Sequence, residues 1–180
     1  MQAYTVSAPG KDKAHNYPVV KIFNQIWMRE NYQANHTTDD KKLGCLYRDY
    51  TLDGAYHACD SEAKLSHFTP QGWRVSSKTD FLNIQKTLNA NDVTHISTAK
   101  AFFPDASGGV LGFWHKFNGY SNGTTFYDGG WNGYYGCLKK DANTYDGVFK
   151  ISSNELFEAP ADYAWGETQR FTVRLVQDIY

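Results

Sequence analysis

The sequence lacks the features that would place it at once among membrane or nucleic-acid-binding proteins. No apolar run approaches the length of a membrane-spanning helix, and residues 1–20 lack the apolar centre of a signal peptide. The formal net charge is only −1 at pH 7, and charges of both signs are mixed along the chain. This balance indicates neither a basic surface nor a charged tail, so we expect no nucleic-acid partner and no membrane insertion.

Cysteine is also scarce. The chain has three Cys residues, and no two of them form a CxxC pair. Three cysteines are too few for a disulfide scaffold, and the lack of CxxC argues against a structural zinc site. The six His residues show no metal-like spacing with Cys or carboxylates. We therefore predict neither a metal site nor a cofactor.

Aromatic residues, in contrast, are abundant. They make up 16% of the 180 residues, and this length suits one domain with a stable core. They concentrate between residues 118 and 136, where six residues are aromatic, six are Gly and only Asp128 is charged. Gly clusters indicate turns, while Tyr and Trp give large contact area at little entropic cost. The stretch suits either a ligand-contacting surface or a turn-rich β region whose rings fill the core.

The pattern of apolar residues predicts a single α+β domain. Residues 1–18 are polar and without periodicity, and we interpret them as an N-terminal arm ahead of a domain that spans 19–180. The β-prone residues of 19–31 predict a β-hairpin with a turn at Asn24 and Gln25. Further strands are predicted at 72–75 and 171–180.

Two helices are predicted near residues 53–65 and 77–89. Ser77 and Asp80 resemble a capping box with Asp in place of Glu. Apolar residues at helical spacing give the second helix one buried face: Phe81, Ile84 and Leu88. After Asn91 the pattern changes to short strands and loops.

Four segments form an ordered set of motifs: NQIWMREN (24–31), GWRVSSKTDFLNI (72–84), GFWHKFNGYSNG (112–123) and FTVRLVQD (171–178). The set resembles FISUMP-type domains, also called major paralogous domains, over residues 19–178. The resemblance implies a C-type-lectin-like fold. In that fold two helices flank a small twisted antiparallel sheet, the N- and C-terminal strands pair, and a long loop region carries the binding surface.

Two departures from the family pattern narrow what the resemblance implies. Leu175 stands where the family often has Cys, so Cys59 has no family-like bridge to the closing strand, while a bridge from Cys45 to Cys59 stays open. The calcium-site motifs of C-type lectins are also missing, because a Trp-Asn pair is followed by Gly133 in place of a carboxylate. Calcium sites usually include carboxylates, so we expect ligand binding without calcium.

The candidates for catalysis are weak. His115 and Cys137 are a base and a nucleophile by residue type only, since sequence distance shows neither adjacency nor a lowered thiol pKa. Formylglycine-generating enzymes, which share the fold, use paired Cys in a late loop, and Cys137 alone does not reproduce that pair. We expect no catalysis and interpret Cys137 as packed inside. Other residues interpreted as core or structural are Trp27, Trp73, Trp165 and Arg174.

The preferred interpretation is a non-enzymatic ligand-binding or adhesion module on a cell surface, a pilus or a phage particle. Its expected partner is a glycan or a protein receptor on another surface. One alternative is a structural subunit contact in a virion, pilus or homo-oligomer, and another is a relative of formylglycine-generating enzymes.

Strand alternation places Tyr134 and Tyr135 on opposite sides. The predicted ligand-binding residues, on one exposed surface, are Tyr120, Asn122, Tyr127, Asp128, Trp131, Asn132 and Tyr135.

Overall fold

The computed structural model describes the chain in several ranges. These are residues 2–6, 15–32, 55–56, 69–90, 98–103, 111–117, 119–121, 125–137, 148–154, 157–158 and 171–179. Within them the fold has two five-stranded sheets, a two-stranded ribbon and two helices. The predicted α+β class is confirmed.

The first sheet brings early and late parts of the chain together. Its antiparallel strands follow the order β1 (Gln2–Val6), β2 (His15–Ile22), β3 (Gln25–Met28), β12 (Leu175–Asp178), β5 (Arg74–Val75). Val176 of β12 pairs with Trp27 of β3, so the predicted pairing of N- and C-terminal strands is confirmed. The hairpin predicted in 19–31 is also confirmed. Its turn lies at Phe23 and Asn24, one residue early, because Gln25 already pairs with Ile22.

The segment predicted as an irregular arm contains strand structure. β1 pairs with β2 in a register that runs from Gln2 opposite Val19 to Val6 opposite His15. β1 therefore extends the first sheet beyond β2. Its backbone N–H and C=O groups pair with β2, whereas those of an irregular segment would bond to water. The domain boundary at residue 18 stays a prediction.

The second sheet follows the order β10 (Phe157–Glu158), β9 (Val148–Ser152), β8 (Asn132–Gly136), β11 (Phe171–Thr172), β4 (Ala55–Tyr56). Only β8 and β11 are parallel among its pairs. The single closing strand predicted over 171–180 is therefore wrong, since it divides into β11 and β12 in different sheets. Between β11 and β12, the backbone carbonyls accept hydrogen bonds from other parts of the chain. The Val173 carbonyl accepts the Tyr32 N–H at 2.8 Å, and the Arg174 carbonyl accepts the Ser76 N–H at 3.0 Å.

The helix predicted at 53–65 is wrong near its start. Ala55–Tyr56 form β4, and Tyr56 pairs with Phe171 of β11. Pairing with a strand far along the chain overrides the local helical preference of this short segment. The rest of the predicted helix lies outside the described residues.

The helix predicted at 77–89 is confirmed as α1 (Lys78–Ala90). The Ser77 N–H donates to Asp80 Oδ2 at 2.7 Å, and the Asp80 N–H donates to Ser77 Oγ at 3.2 Å, which is the predicted capping box. A second helix, α2 (Thr98–Ala101), is one turn long and lies where only strands and loops were predicted. In the parts of the chain that are described, no helix is long and apolar enough to cross a membrane.

The main core joins both sheets to α1. Its aromatic centre contains Trp27 from the first sheet, Phe81 from α1 and Phe149 from the second sheet, all fully buried. The Trp27 ring lies edge-on to Phe81 with centroids 5.2 Å apart, and Phe81 stacks on Phe149 at 4.6 Å. Trp27 and Trp73 are buried as predicted, whereas Trp165 lies outside the described residues.

A charged network ties the start of α1 to the first sheet. Asp80 accepts hydrogen bonds from Arg74 Nη1 at 2.6 Å and from Gln25 Nε2 at 2.8 Å, and Arg74 Nη2 also donates to Asp178 at 2.9 Å. Burial opposes ionisation of Asp80, but hydrogen bonds from Arg74, Ser77 and Gln25 outweigh it and lower its pKa. The hydrogen bond from Arg74 likewise lowers the pKa of Asp178.

We expect Asp80→Asn to lower the free energy of unfolding by about 2 kcal/mol at neutral pH, because the bonds from Arg74 lose their charge-assisted acceptor. The Asn oxygen still accepts from Ser77, so the helix cap persists. Since the folded pKa of each carboxyl lies below its unfolded value of about 4, the stabilisation is present above that value and disappears as the pH falls.

Urea denaturation at about pH 7 and about pH 3 tests this prediction. The Asp80→Asn variant should lose less stability on acidification than the wild type. The control is Asp178→Asn, which changes a more exposed carboxyl of the same network and should have a smaller effect at neutral pH. Equal acid sensitivity of the wild type and the Asp80 variant would contradict the role assigned to this carboxylate.

Candidate functional site

Two glycines bring three backbone segments unusually close together beneath the loop region. A Cβ at Gly119, where φ is +67°, would lie within 2.0 Å of the Tyr127 carbonyl oxygen. A Cβ at Gly133 would lie 2.3 Å from Cε1 of His115. The Gly119 N–H donates to the Asn132 carbonyl at 2.7 Å, and Gly119 forms a parallel bridge with Gly133. Only Gly permits this approach, which fixes the loops against β8.

A short antiparallel ribbon follows, formed by β6 (Tyr120–Ser121) and β7 (Phe126–Tyr127). Tyr120 pairs directly with Tyr127, and their rings stack with centroids 5.1 Å apart. Tyr120 also meets Tyr134 edge-on at 5.1 Å and Phe171 at 5.9 Å. The Tyr127 ring is thus supported from below by a buried aromatic cluster while 39% of the residue remains exposed.

The turn from 128 to 131 connects the ribbon to β8 and is held by its backbone. The Asp128 carbonyl accepts the N–H groups of Trp131 and Asn132 at 3.1 and 3.0 Å. The Trp131 carbonyl accepts the Ser153 N–H at 2.7 Å. Trp131 itself is 70% exposed, more than any other large hydrophobic residue in the described ranges. The turn therefore presents an indole ring to solvent from a fixed backbone.

The Asp128 side chain organises the polar part of this turn. Its Oδ2 accepts the Tyr134 hydroxyl at 2.6 Å and the Asn132 amide at 3.3 Å. Asp128 has φ of 58°, in the left-handed region that Asp and Asn tolerate better than most residues. The carboxylate thus joins an exposed turn to a buried tyrosine.

The structure brings most of the predicted site residues together. Tyr127, Asp128, Trp131 and Asn132 form what we call the aromatic loop surface, with Tyr120 half-buried beneath it. Asn122 lies outside the described residues.

The prediction that Tyr135 belongs to this exposed surface is wrong. Tyr134 and Tyr135 do point to opposite sides of β8, as predicted from strand alternation. Tyr135 faces the main core and is fully buried, with its ring 5.6 Å from that of Phe81. Tyr134 faces the loop side and supports Asp128. Strand alternation places Tyr134 on the same side of β8 as Asn132, but alternation alone does not show which side faces the core.

The pair considered for catalysis is buried in the core. His115 Nδ1 lies 2.6 Å from the Tyr135 hydroxyl, and burial, together with the nearby Arg174 charge, lowers the pKa of His115 to about 3. Burial likewise raises the pKa of Tyr135. Cys137 is buried as predicted, with its thiol 3.5 Å from the Tyr135 carbonyl oxygen. At neutral pH this cluster is an uncharged imidazole and phenol, closed off from solvent.

No group of three or more His, Cys, Asp or Glu residues able to hold a metal occurs within the described ranges. Binding without calcium stays a prediction. Comparison with protein-family models, with curated proteins and with solved structures finds no match to this chain in any of the three.

Proposed function

We propose that the chain is a non-enzymatic ligand-binding or adhesion module of C-type-lectin-like fold, displayed on a cell surface, a pilus or a phage particle. Its partner is a glycan or a protein receptor on another surface. The single observation that carries the proposal is Trp131, an indole ring 70% exposed on a turn whose backbone is fixed by hydrogen bonds. Exposed aromatic rings on rigid loops are typical of binding sites.

The architecture supports the proposed fold. A strand near residue 27 pairs with one near residue 176, so early and late strands are neighbours. The aromatic loop surface lies on the β6–β7 ribbon and on the turn that joins this ribbon to β8 of the second sheet. A helix with its own capping box packs on the core shared by both sheets. This arrangement fits a scaffold of paired terminal strands that holds a long loop region.

The energetics of the turn favour binding. The Trp131 backbone N–H and C=O are both already bonded, so a ligand would not have to order this part of the loop. Pre-ordered contacts reduce the entropic cost of association. An exposed indole offers large apolar area, which is stabilised when a partner covers it.

We expect Trp131→Ala to lower ligand affinity at least about tenfold, while lowering the free energy of unfolding by less than about 1 kcal/mol. Arrays of immobilised glycans and of cell-surface proteins measure binding, and urea denaturation measures stability. The matched control is Leu82→Ala, which removes another exposed apolar side chain, 43% exposed on α1. Binding should persist when a calcium chelator is added.

Two outcomes would count against the proposal. If Trp131→Ala unfolds the protein, the ring belongs to the fold and not to a binding surface. If the variant and the control bind every probe as the wild type does, the surface is not the site. A loss of binding on adding the chelator would contradict the calcium-free prediction alone.

The same exposed ring also suits a subunit contact in a virion, a pilus or a homo-oligomer. In that case Trp131 would be covered by a neighbouring subunit. Measurement of the oligomeric mass over a range of concentrations separates the two functions. Self-association that Trp131→Ala removes would favour the subunit contact, whereas a monomer with Trp131-dependent binding would favour the receptor-binding module.

A further inference from the structure

We propose that the aromatic loop surface binds an uncharged pyranose sugar without calcium, stacking it on Trp131 and hydrogen-bonding adjacent hydroxyls through Asp128 and Asn132. The inference rests on the proposed function and narrows its ligand from glycan or protein to one chemical class. It draws on the exposed ring, on the unused polar atoms beside it and on the charge of the turn.

The first step is the ring. A pyranose has one face of C–H bonds, with its hydroxyls directed mainly around the rim. The face of an aromatic ring carries partial negative charge and attracts such weakly positive C–H groups. With 70% of Trp131 exposed and its backbone anchored to Asp128 and Ser153, the indole is available for stacking without rearrangement of the turn.

The second step is the set of polar atoms. The two hydrogen bonds to the Asp128 carboxylate both use Oδ2, so within the described part of the chain Oδ1 is left for a ligand. The Asn132 amide donates one hydrogen to that carboxylate, which leaves its second hydrogen and its oxygen. A sugar hydroxyl both donates and accepts. A carboxylate and an amide side by side therefore match two neighbouring hydroxyls.

The third step is charge. Asp128 repels ligands that carry carboxylate, sulfate or phosphate groups. A cationic side chain of a protein would be attracted by Asp128 and by the indole face. However, the Asp128 carboxylate already accepts hydrogen bonds from the Tyr134 hydroxyl and the Asn132 amide. These bonds orient the carboxylate for directional hydrogen bonding, and the adjoining amide is neutral, so we infer an uncharged partner.

The test is an array of neutral, acidic and amino-bearing oligosaccharides, followed by titration calorimetry of the hits, with a calcium chelator present throughout. Poly-lysine is the cationic probe. The variants are Trp131→Ala, Trp131→Phe and Asp128→Asn, with Leu82→Ala as the control. Asn tolerates the positive φ of position 128 and can still accept from Tyr134, so Asp128→Asn tests the charge without disturbing the turn.

We expect neutral sugars to bind with little dependence on salt. Trp131→Ala should lower affinity at least about tenfold, and Trp131→Phe by less, because a smaller aromatic face remains. Asp128→Asn should lower affinity at least about threefold, because a charged acceptor bonds a hydroxyl more strongly than an amide does. Leu82→Ala should bind as the wild type does.

Three results would overturn the inference. One is preference for poly-lysine, with affinity that falls steeply as salt is added. Another is Trp131-dependent binding to the array of cell-surface proteins used to test the proposed function, with none to the oligosaccharides, which would leave the proposed function standing. The third is the absence of Trp131-dependent binding to any probe, which would overturn the proposed function as well.

Discussion

Trp27→Ala is expected to lower the free energy of unfolding by about 3–5 kcal/mol. Trp27 is fully buried, and its ring packs edge-on against Phe81 and Phe113 with centroids 5.2 and 5.5 Å away. Those two rings come from α1 and from the segment before the loop region. Removing the indole therefore opens a cavity at the point where three parts of the chain meet, and rings held by other contacts cannot fill it easily.

Trp27→Phe provides the control for volume. The Trp27 indole N–H has no hydrogen-bond partner in the described structure, so Phe loses no hydrogen bond and should cost clearly less than Ala. Trp131→Ala, at an exposed position, should cost less than about 1 kcal/mol. Urea denaturation followed by circular dichroism gives all three values. A loss below about 1 kcal/mol for Trp27→Ala would contradict the position of this ring in the core.

Arg174→Lys is expected to cost about 3 kcal/mol, although the charge is kept. The guanidinium is fully buried, and its donors are directed at several acceptors. Nε donates to Asn31 Oδ1 at 2.7 Å, and Nη2 donates to the Trp114 carbonyl at 2.9 Å. Nη1 donates to the carbonyls of Met28 and Phe113, both at 3.0 Å. A single ammonium cannot reach acceptors spread around a planar fork.

Arg74→Lys is the matched control, since Arg74 is partly exposed and water can replace a lost bond there. It should cost clearly less than Arg174→Lys in the same urea denaturation experiment. Arg174→Met should cost at least as much as Lys, because it leaves carbonyl groups buried without a donor. A value for Arg174→Lys within about 1 kcal/mol of wild type would show that the fork is dispensable.

The parts of the fold that the sequence predicts well are governed by neighbours along the chain. The capping box of Ser77 and Asp80, the buried face of α1 and the β2–β3 hairpin each depend on spacings of a few residues. The failures at 53–65 and at 171–180 depend on distant pairing. Ala55–Tyr56 become a strand because β11 pairs with them, and nothing local indicates that partner.

The candidate site shows the same division. Gly, Asp and Asn around Trp131 predict an exposed turn from local chemistry, and the turn is there. The alternation of Tyr134 and Tyr135 also follows from strand geometry. Strand geometry does not show which of the two tyrosines faces the core. That depends on which side of β8 packs with Phe81 and Phe149. Periodicity gives relative orientation, and only the packing of the sheets gives the absolute one.

The division of the last described segment between two sheets has a consequence for synthesis. β11 and β12 each occupy an interior position, between β8 and β4 in one sheet and between β3 and β5 in the other. During synthesis the second sheet cannot close before β11 is available, and the first cannot close before β12 is available. Until then β3, β4, β5 and β8 each lack a neighbouring strand. Contacts of such long sequence separation slow folding. Exposed strand edges in the waiting chain are sites for misassociation, so the risk of aggregation is highest before β11 and β12 are in place.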